Sequence, residues 1–343
     1  MKRLIILAAT LIAGLSACDS LLDKEPLDRV TQFDYFKTRS DLELFSNPFY
    51  DNLLDKTPYD EQNDLLVQMT LSDVLYGGDK RTVPNTGGGW SWGNLRRINT
   101  LLEYVDQCKD KKAVTEYTAL AKFFRAAFYF DKVKRFGDVP WYEVQLGSAD
   151  EALYKPRDSR ELIMTNMIKD IDEAINSGGL TEDISTYRVN KWAALALKAR
   201  FCLFEGTYRK YHRVDPSTGK AWEDKQASEK FLRECAEACE ELMAAGVYSI
   251  VNNHANVKTQ YRELFTQEAV NTTEVIWARQ MSVGMTTFHD LTWRYTSGSY
   301  GQRWSLDQDF VKTYLNLDGS RHTATGEEFT TEVENRDYRL SQS

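Results

Sequence analysis

The stretch ALAKFFRAAFYFDKVKRFGDVP, residues 119–140, decides the fold of this chain. Its apolar side chains recur at the i, i+3, i+4 and i+7 spacing of one helix face, and Phe123, Phe130 and Val133 widen that face. The spacing predicts a helix over residues 113–136. Because the helix is apolar on most sides, we expect it to pack against more than one neighbour.

The end of this helix carries several stop signals. Lys132, Lys134 and Arg135 complement the negative end of the helix dipole, Gly137 can adopt a left-handed cap, and Pro140 prevents the helix from resuming. The three basic residues also have the composition of a phosphate-binding patch. Their position at a helix end favours the capping interpretation.

Further helices are predicted from the same periodicity, joined by short polar turns. One begins near Trp92, and three more cover residues 159–175, 190–208 and 231–245. Ala119-x₃-Phe123-x₂-Ala126 matches the second helix of a tetratricopeptide repeat, although no simple period of about 34 residues connects comparable helices. We therefore expect a mainly all-α fold of tetratricopeptide-like stacked helical hairpins with long irregular loops and little β structure. Residues 274–279 are predicted as a short strand.

The composition narrows the classes of function. The chain has 343 residues, 43 basic and 51 acidic side chains, and a net charge of −8. Nucleic-acid binding is disfavoured, because phosphate contacts require clustered positive charge. No apolar run of about 20 residues follows the N-terminal segment, which excludes a protein that crosses a membrane several times.

The N-terminus predicts export and a lipid anchor. Residues 1–17 have the positively charged start and short apolar stretch of a signal peptide. LSAC, residues 15–18, resembles the bacterial lipoprotein box, in which Cys18 becomes the lipidated first residue. An ordinary signal peptide followed by a chance cysteine is the alternative. We expect residues 18–30 to form a tether and residues 31–343 to form the helical domain.

Residues that carry catalytic chemistry are sparse. The sequence has no phosphate-binding loop, nucleophile elbow or HExxH motif, and its four histidines are scattered. The cysteines other than Cys18 lack metal-binding spacing and are interpreted as small buried hydrophobes, with their disulfide state left open: Cys108, Cys202, Cys235 and Cys239. Acidic pairs such as Glu240-Glu241 are explained by solvated helix faces, although two carboxylates brought together would permit glycoside hydrolysis. We expect a non-catalytic protein without a cofactor or a metal site.

Aromatic side chains in two glycine-containing loops are the candidates for ligand binding. The residues of the first group are Trp90 and Trp92 with Tyr76, Asp79, Arg81 and Asn94, and those of the second are Trp293 and Tyr295, near Tyr300 and Trp304. A rigid ring beside polar groups suits a sugar, which has an apolar C–H face and a rim of hydroxyls. The alternative is that the rings anchor the loops to the helices. We favour anchoring for Trp277 and Trp304 and leave both interpretations open for Trp90 and Trp92.

Six segments resemble the SusD/RagB family of outer-membrane lipoproteins and occur in the family's order. They are LRRINTLLE (95–103), AKFFRAAFYF (121–130), RFGDVP (135–140), PRDS (156–159), RVNKWAALALKAR (188–200) and NRDYRL (335–340), the last with Tyr338 in place of a proline. Together with the lipoprotein box they are distributed along almost the whole chain. These motifs are largely structural, so they imply a fold and a role without naming ligand residues.

The resemblance implies a lipid-anchored protein of the cell outer membrane, exposed at the surface. Such proteins bind oligosaccharides, polysaccharides or other nutrient polymers and deliver them to a SusC-like TonB-dependent transporter. In the family, ligands often meet aromatic residues in loops around the first helices and in the later irregular region. Family members usually continue beyond the NRDPRL-like segment, so we expect that the C-terminal part is missing here. The alternatives are a helical surface glycoside hydrolase and a tetratricopeptide scaffold that binds only proteins.

Overall fold

The computed structural model describes residues 35–51, 65–68, 87–222, 227–252, 254–301, 304–323 and 328–342. The α-helices in these ranges are α1 (Arg39–Asp51), α2 (Gly93–Tyr104), α3 (Lys111–Phe136), α4 (Arg160–Asn176), α5 (Lys191–Tyr211), α6 (Ala227–Ala244), α7 (Gln260–Thr266), α8 (Leu291–Thr296), α9 (Gln308–Thr313) and α10 (Phe329–Val333). Short 3₁₀ turns cover Val105–Gln107, Glu151–Tyr154, His254–Asn256 and Leu340–Gln342. The predicted mainly-α fold is confirmed. The predicted signal peptide and tether, with the boundary between residues 30 and 31, lie outside the described residues.

Helix α3 forms the centre of the core, as its apolar pattern predicts. At its start, the Asp110 carboxylate accepts hydrogen bonds from the backbone N–H groups of Lys112 and Ala113, at 3.0 and 3.1 Å. At its end, Gly137 has a φ of 69°, and its N–H donates to the carbonyl of Val133 at 3.0 Å. The helix therefore begins and ends at residues whose chemistry fixes those positions.

Neighbouring helices pack on α3 in sequence order. Helices α1 and α2 contact each other and α3, α3 packs against α4, α4 contacts α5, and α5 packs against α6. Lys198 of α5 bridges two further helices, because its Nζ lies 2.8 Å from Asp172 of α4 and 2.7 Å from Glu234 of α6. The stacked-hairpin arrangement thus has both apolar and ionic contacts between successive helices.

The connection from α3 to α4 is longer than the predicted short turn. Residues 137–159 run across the core, where Val139 and Trp141 are buried. The amide of Asn99 donates to the carbonyls of Tyr142 and Val144, at 2.9 and 3.1 Å. Since these side-chain bonds satisfy backbone groups that would otherwise be buried without partners, the segment can lie against the helices without secondary structure.

In the chain after residue 246, short helices alternate with irregular segments, and the strand predicted at residues 274–279 is not formed. Those residues lie along the helical core instead, where Ala278 N–H donates to the carbonyl of Thr186 at 2.8 Å and Ile276 and Trp277 pack on buried side chains. The described strands are β1 (Leu66–Val67) and β2 (Ser305–Leu306), which pair antiparallel. A β-like composition did not become a strand at residues 274–279 because the neighbouring surface is helical and offers no ladder of backbone groups.

No helix in the described ranges is both long enough and apolar enough to cross a membrane.

Candidate functional site

The candidate ligand residues fall partly within the described chain. Tyr76, Asp79, Arg81 and the lipidation site Cys18 lie outside the described residues. Trp90, Trp92 and Asn94 lie at the start of α2, and Trp293 and Tyr295 lie in α8. Trp90 contacts Trp92, whereas Trp293 and Tyr295 contact rings of their own segment.

Trp90 lies on the C-terminal end of α3 and keeps 41% of its surface exposed. Its ring centre is 5.1 Å from that of Trp92 and 4.8 Å from that of Phe136, both edge to face. The guanidinium carbon of Arg157 lies 4.9 Å from the ring centre, a cation–π contact. The Arg157 side chain thus competes with any ligand for the ring surface, and Trp90 remains a predicted ligand residue with a partly occupied ring.

Trp92 is half-buried and packs on the core. Its ring centre lies 5.7 Å from Phe128, 6.3 Å from Tyr129 and 5.8 Å from Tyr142. These contacts support the anchoring interpretation for this residue, because most of the indole is taken up by protein. A direct ligand contact by Trp92 stays a prediction that rests on the remaining exposed part of the ring.

A groove of about 1260 Å³ runs between α3 and α5, and Ser91 and Asn94 line it. Apolar side chains such as Phe128 and Leu197 line it together with three acidic and three basic groups. The charged groups are Asp51, Asp131 and Glu274 with Lys132, Lys134 and Arg200. The sequence did not predict this groove, since its walls come from helices far apart in the chain. Its mixed lining of apolar surface and balanced charge suits a polar, uncharged ligand.

Lys132 joins the Trp90 loop to this groove. Its Nζ donates to the carbonyl of Gly89 at 2.7 Å and lies 4.9 Å from the ring centre of Phe128. Burial lowers the pKa of Lys132, because the charged form loses water around it. The contact with Gly89 gives the lysine a structural role beyond the helix-end role that the sequence favours.

The second aromatic group offers the most open ring surface among the described candidates. Trp293 and Tyr300 stack with centres 5.8 Å apart and planes inclined by 18°, and 52% and 69% of their surfaces are exposed. Tyr295 is also exposed and meets Trp304 edge to face at 5.3 Å. Trp304 is buried, and its indole Nε1–H donates to the side-chain oxygen of Gln68 at 3.0 Å. Tyr300 belongs with the candidates, and its place in the Gly- and Ser-rich stretch was its only signal in the sequence.

Three carboxylates of the described chain have clearly shifted pKa values. Where a clear shift exists, at Asp215, Asp318 and Asp337, the pKa is lowered. Hydrogen bonds from Ser217, Ser320 and Arg339 stabilise the three charged forms. A general acid in glycoside hydrolysis needs the opposite shift. In the same ranges, no three side chains of the His, Cys, Asp or Glu type are grouped to hold a metal ion.

The four cysteines of the helical region are free thiols. Cys108 and Cys202 are buried, in agreement with their interpretation as small hydrophobes, and burial raises the pKa of Cys202. Cys235 and Cys239, four residues apart on α6, are half-buried and hydrogen-bonded to each other. Burial also raises the pKa of Cys235.

The family model and the curated relatives that match this chain are all SusD-like. Residues 35–196 match a family model described as starch-binding and associating with the outer membrane, the SusD-like family. A SusD-like protein of Formosa agariphila is 24% identical over 275 residues, which cover 75% of this chain and 47% of that protein. The chain spans about half the length of the curated relatives it matches.

Solved structures show the same fold. A SusD-like protein from Bacteroides fragilis superposes with a TM-score of 0.66 at 19% identity, covering 93% of this chain and 62% of that one. A SusD-like carbohydrate binding protein from the same organism gives a TM-score of 0.66 at 18% identity, with 90% and 60% covered. At these identities the likeness establishes the arrangement of helices and carries no information on individual ligand residues.

Proposed function

We propose, because the chain belongs to the SusD-like family, that this protein binds glycans at the outer membrane without cleaving them. The observation that carries the proposal is the match of residues 35–196 to a family described as starch-binding and associating with that membrane. The shared fold with a SusD-like carbohydrate binding protein of Bacteroides fragilis supports it.

The stacked pair Trp293 and Tyr300 is the proposed main contact with sugar. Both rings are more than half exposed, and because they stack on each other, a sugar would place its C–H face on the outer face of one ring. Covering about 100 Å² of ring surface gives about 2.5 kcal/mol before ordering costs. One such platform binds weakly, which suits a protein that holds a polymer through several sugar units and then releases it.

The Trp90 group is the proposed second contact. Trp90 and Asn94 adjoin the α3–α5 groove, whose polar groups can bond sugar hydroxyls. Tyr76, Asp79 and Arg81 complete this group as predictions from the sequence. Its contribution depends on Arg157 leaving part of the Trp90 ring open, so we rank this contact below the Trp293 and Tyr300 pair.

The location and the partner are proposed from the sequence motifs. Cys18, at the end of the lipoprotein box, carries the lipid that holds the protein on the outer membrane, with residues 18–30 as the tether. The domain that follows residue 30 presents its ligand to a SusC-like TonB-dependent transporter. The family description, which names association with the outer membrane, supports the location.

Affinity gels that contain soluble starch or other neutral glucans test the binding proposal. We expect the full chain to be retarded without release of reducing sugar, and Trp293→Ala with Tyr300→Ala to remove most of the retardation. Tyr154→Ala with Tyr211→Ala is the matched control, because both rings are exposed and lie elsewhere on the surface. Circular dichroism checks that each variant keeps its helices.

Three results would contradict the proposal in different ways. Release of reducing sugar by the wild-type chain would indicate a glycoside hydrolase. No retardation in any glucan gel, with recovery of protein partners only, would indicate a scaffold. Equal retardation of the Trp293 and Tyr300 variant and its control would remove the ring pair from the site and leave the binding function in place.

A further inference from the structure

A second cavity of about 840 Å³ has none of the described aromatic candidates in its lining and shares no lining residue with the α3–α5 groove. Its walls are formed by Arg39 and Tyr50 of α1, by the N-terminal half of α3, and by residues 178–181, 185, 188 and 189 between α4 and α5. This volume lies within the range of roughly 300–1,000 Å³ that is usual for small-ligand sites. We call this cavity the cationic pocket.

The cationic pocket has an excess of positive charge on a chain that is acidic as a whole. Four cationic side chains line it with one carboxylate, that of Glu116. The cations are Arg39, Lys111, Lys112 and Arg188. Because the chain carries a net charge of −8, a local excess of this kind is not explained by composition.

The four cations are not equally compensated. Arg39 pairs with Glu116 and lies 4.0 Å from Asp110, and Arg188 lies 3.4 Å from Glu43. Lys111 and Lys112 are exposed and have no acidic partner within 4.0 Å in the described part of the chain. The two lysines therefore remain available to pair with an anion that enters the pocket.

The pocket wall is fixed by a close backbone approach. A Cβ atom at Gly179 would lie 2.4 Å from the carbonyl oxygen of Thr115, so only glycine lets this loop lie directly on α3. Tyr117 and Leu120 supply buried apolar surface, and Thr115, Thr181 and Ser185 supply hydroxyl groups. Burial raises the pKa of Tyr117 to about 12, so this phenol stays neutral beside the cations.

We infer that the cationic pocket binds the oxyanion groups, carboxylate or sulfate ester, of an acidic oligosaccharide. Positive charge selects the oxyanion, while the hydroxyls and apolar surface match the rest of a sugar ring. The carbohydrate class rests on the proposed glycan-binding function, whereas the preference for negative charge rests on the pocket itself. The pocket would thus favour charged sugars over neutral ones, whereas the aromatic rings contact the apolar face of any sugar ring.

Calorimetric titration of the full chain with matched pairs of oligosaccharides tests this inference. The probes are tetragalacturonate and its methyl ester, and a carrageenan tetrasaccharide with and without its sulfates. Lys111→Glu with Lys112→Glu is the test variant, which keeps the helix since acidic groups suit a first turn. Lys220→Glu with Lys230→Glu, both exposed, is the control with the same change in net charge.

We expect the charged probes to bind the wild-type chain and the control, and the test variant to weaken this binding about tenfold or more, with further loss at high salt. A difference within the tetragalacturonate pair indicates that the pocket binds carboxylate, and a difference within the carrageenan pair indicates that it binds sulfate. Equal affinity of the test variant and the control overturns the inference, as does equal affinity for charged and uncharged probes. Tighter binding of a hexaglutamate peptide than of any oligosaccharide overturns the carbohydrate class.

The result is separable from the test of the proposed function. Retardation by neutral glucans depends on Trp293 and Tyr300, which lie outside the cationic pocket. Loss of neutral glucan binding with retained Lys111- and Lys112-dependent binding of acidic probes contradicts the ring platform and supports the pocket. The reverse pattern contradicts the pocket and leaves the platform in place.

Discussion

At the scale of single residues, a buried ion pair joins Arg125 of α3 to Asp170 of α4. The guanidinium Nε and Nη2 lie 2.6 and 2.7 Å from the two carboxylate oxygens, and both side chains are buried. Asn99 Oδ1 and the carbonyl of Glu143 accept further bonds from Nη1, each at 3.4 Å. Because the charges balance only as a pair, this arrangement fixes which face of α4 meets α3.

Removing one member of this pair destabilises the protein strongly. We expect Arg125→Met or Asp170→Leu to lower the free energy of unfolding by about 3–5 kcal/mol, since the remaining charge is buried alone. The double variant loses less free energy of unfolding than the two single variants added together, because no charge is left without a partner. Urea denaturation followed by circular dichroism measures each value. Lys312→Met, at an exposed pair 3.9 Å from Asp309, is the control, and an equally small loss at Arg125 would contradict the prediction.

At the scale of elements, α5 and α6 approach each other at a glycine. A Cβ atom at Gly206 would lie 2.7 Å from Cγ and 3.1 Å from the backbone nitrogen of Leu232. The Gly206 carbonyl also accepts a hydrogen bond from the Ser228 hydroxyl at 2.7 Å. A side chain at this position forces α6 away from α5, since a backbone atom is among the close contacts.

In the Gly206→Ala variant, helix propensity and packing therefore change the stability in opposite directions. Alanine gains up to about 1 kcal/mol over glycine inside a helix, but overpacking costs about 1–3 kcal/mol, so we expect a net loss of stability. Gly93→Ala is the matched control at the first residue of α2, where the space around the new Cβ is open. The midpoint of thermal unfolding measures both. A Gly206→Ala variant more stable than the wild type would show that α6 shifts freely.

The elements also show what the sequence can and cannot predict. Helix α3 was predictable because its apolar face and its C-terminal cap, Gly137, act locally. The segment at residues 274–279 was not, because its conformation depends on a helical surface distant in the chain. For the same reason, aromatic residues in loops identify Trp293 and Trp92 equally well, and only the fold shows that one ring is open and the other packed. The cationic pocket combines α1, α3 and residues 178–189, a combination that no local pattern contains.

At the scale of the whole molecule, the irregular chain after residue 246 is held to the helical core at Trp277. The Trp277 ring centre lies 5.5 Å from that of Phe123 in α3 and 6.5 Å from that of Tyr50 in α1. Two residues later, Arg279 Nη2 lies 3.1 Å from the Asp51 carboxylate at the end of α1. The exposed rings of α8 belong to this irregular part, so their position relative to the helices depends on the Trp277 contact.

Trp277→Ala is expected to loosen the irregular part while the helices persist. The indole packs on α3 without being part of its hydrogen-bonded backbone, so its loss removes an attachment and leaves α3 and α4 paired. Hydrogen exchange followed by mass spectrometry should show faster exchange in residues 280–342 and unchanged protection in α3 and α4. Trp222→Ala, outside this contact, is the control. Equal acceleration across the whole chain would instead show that the helices and the irregular part unfold as one unit, with Trp277 an ordinary member of a single core.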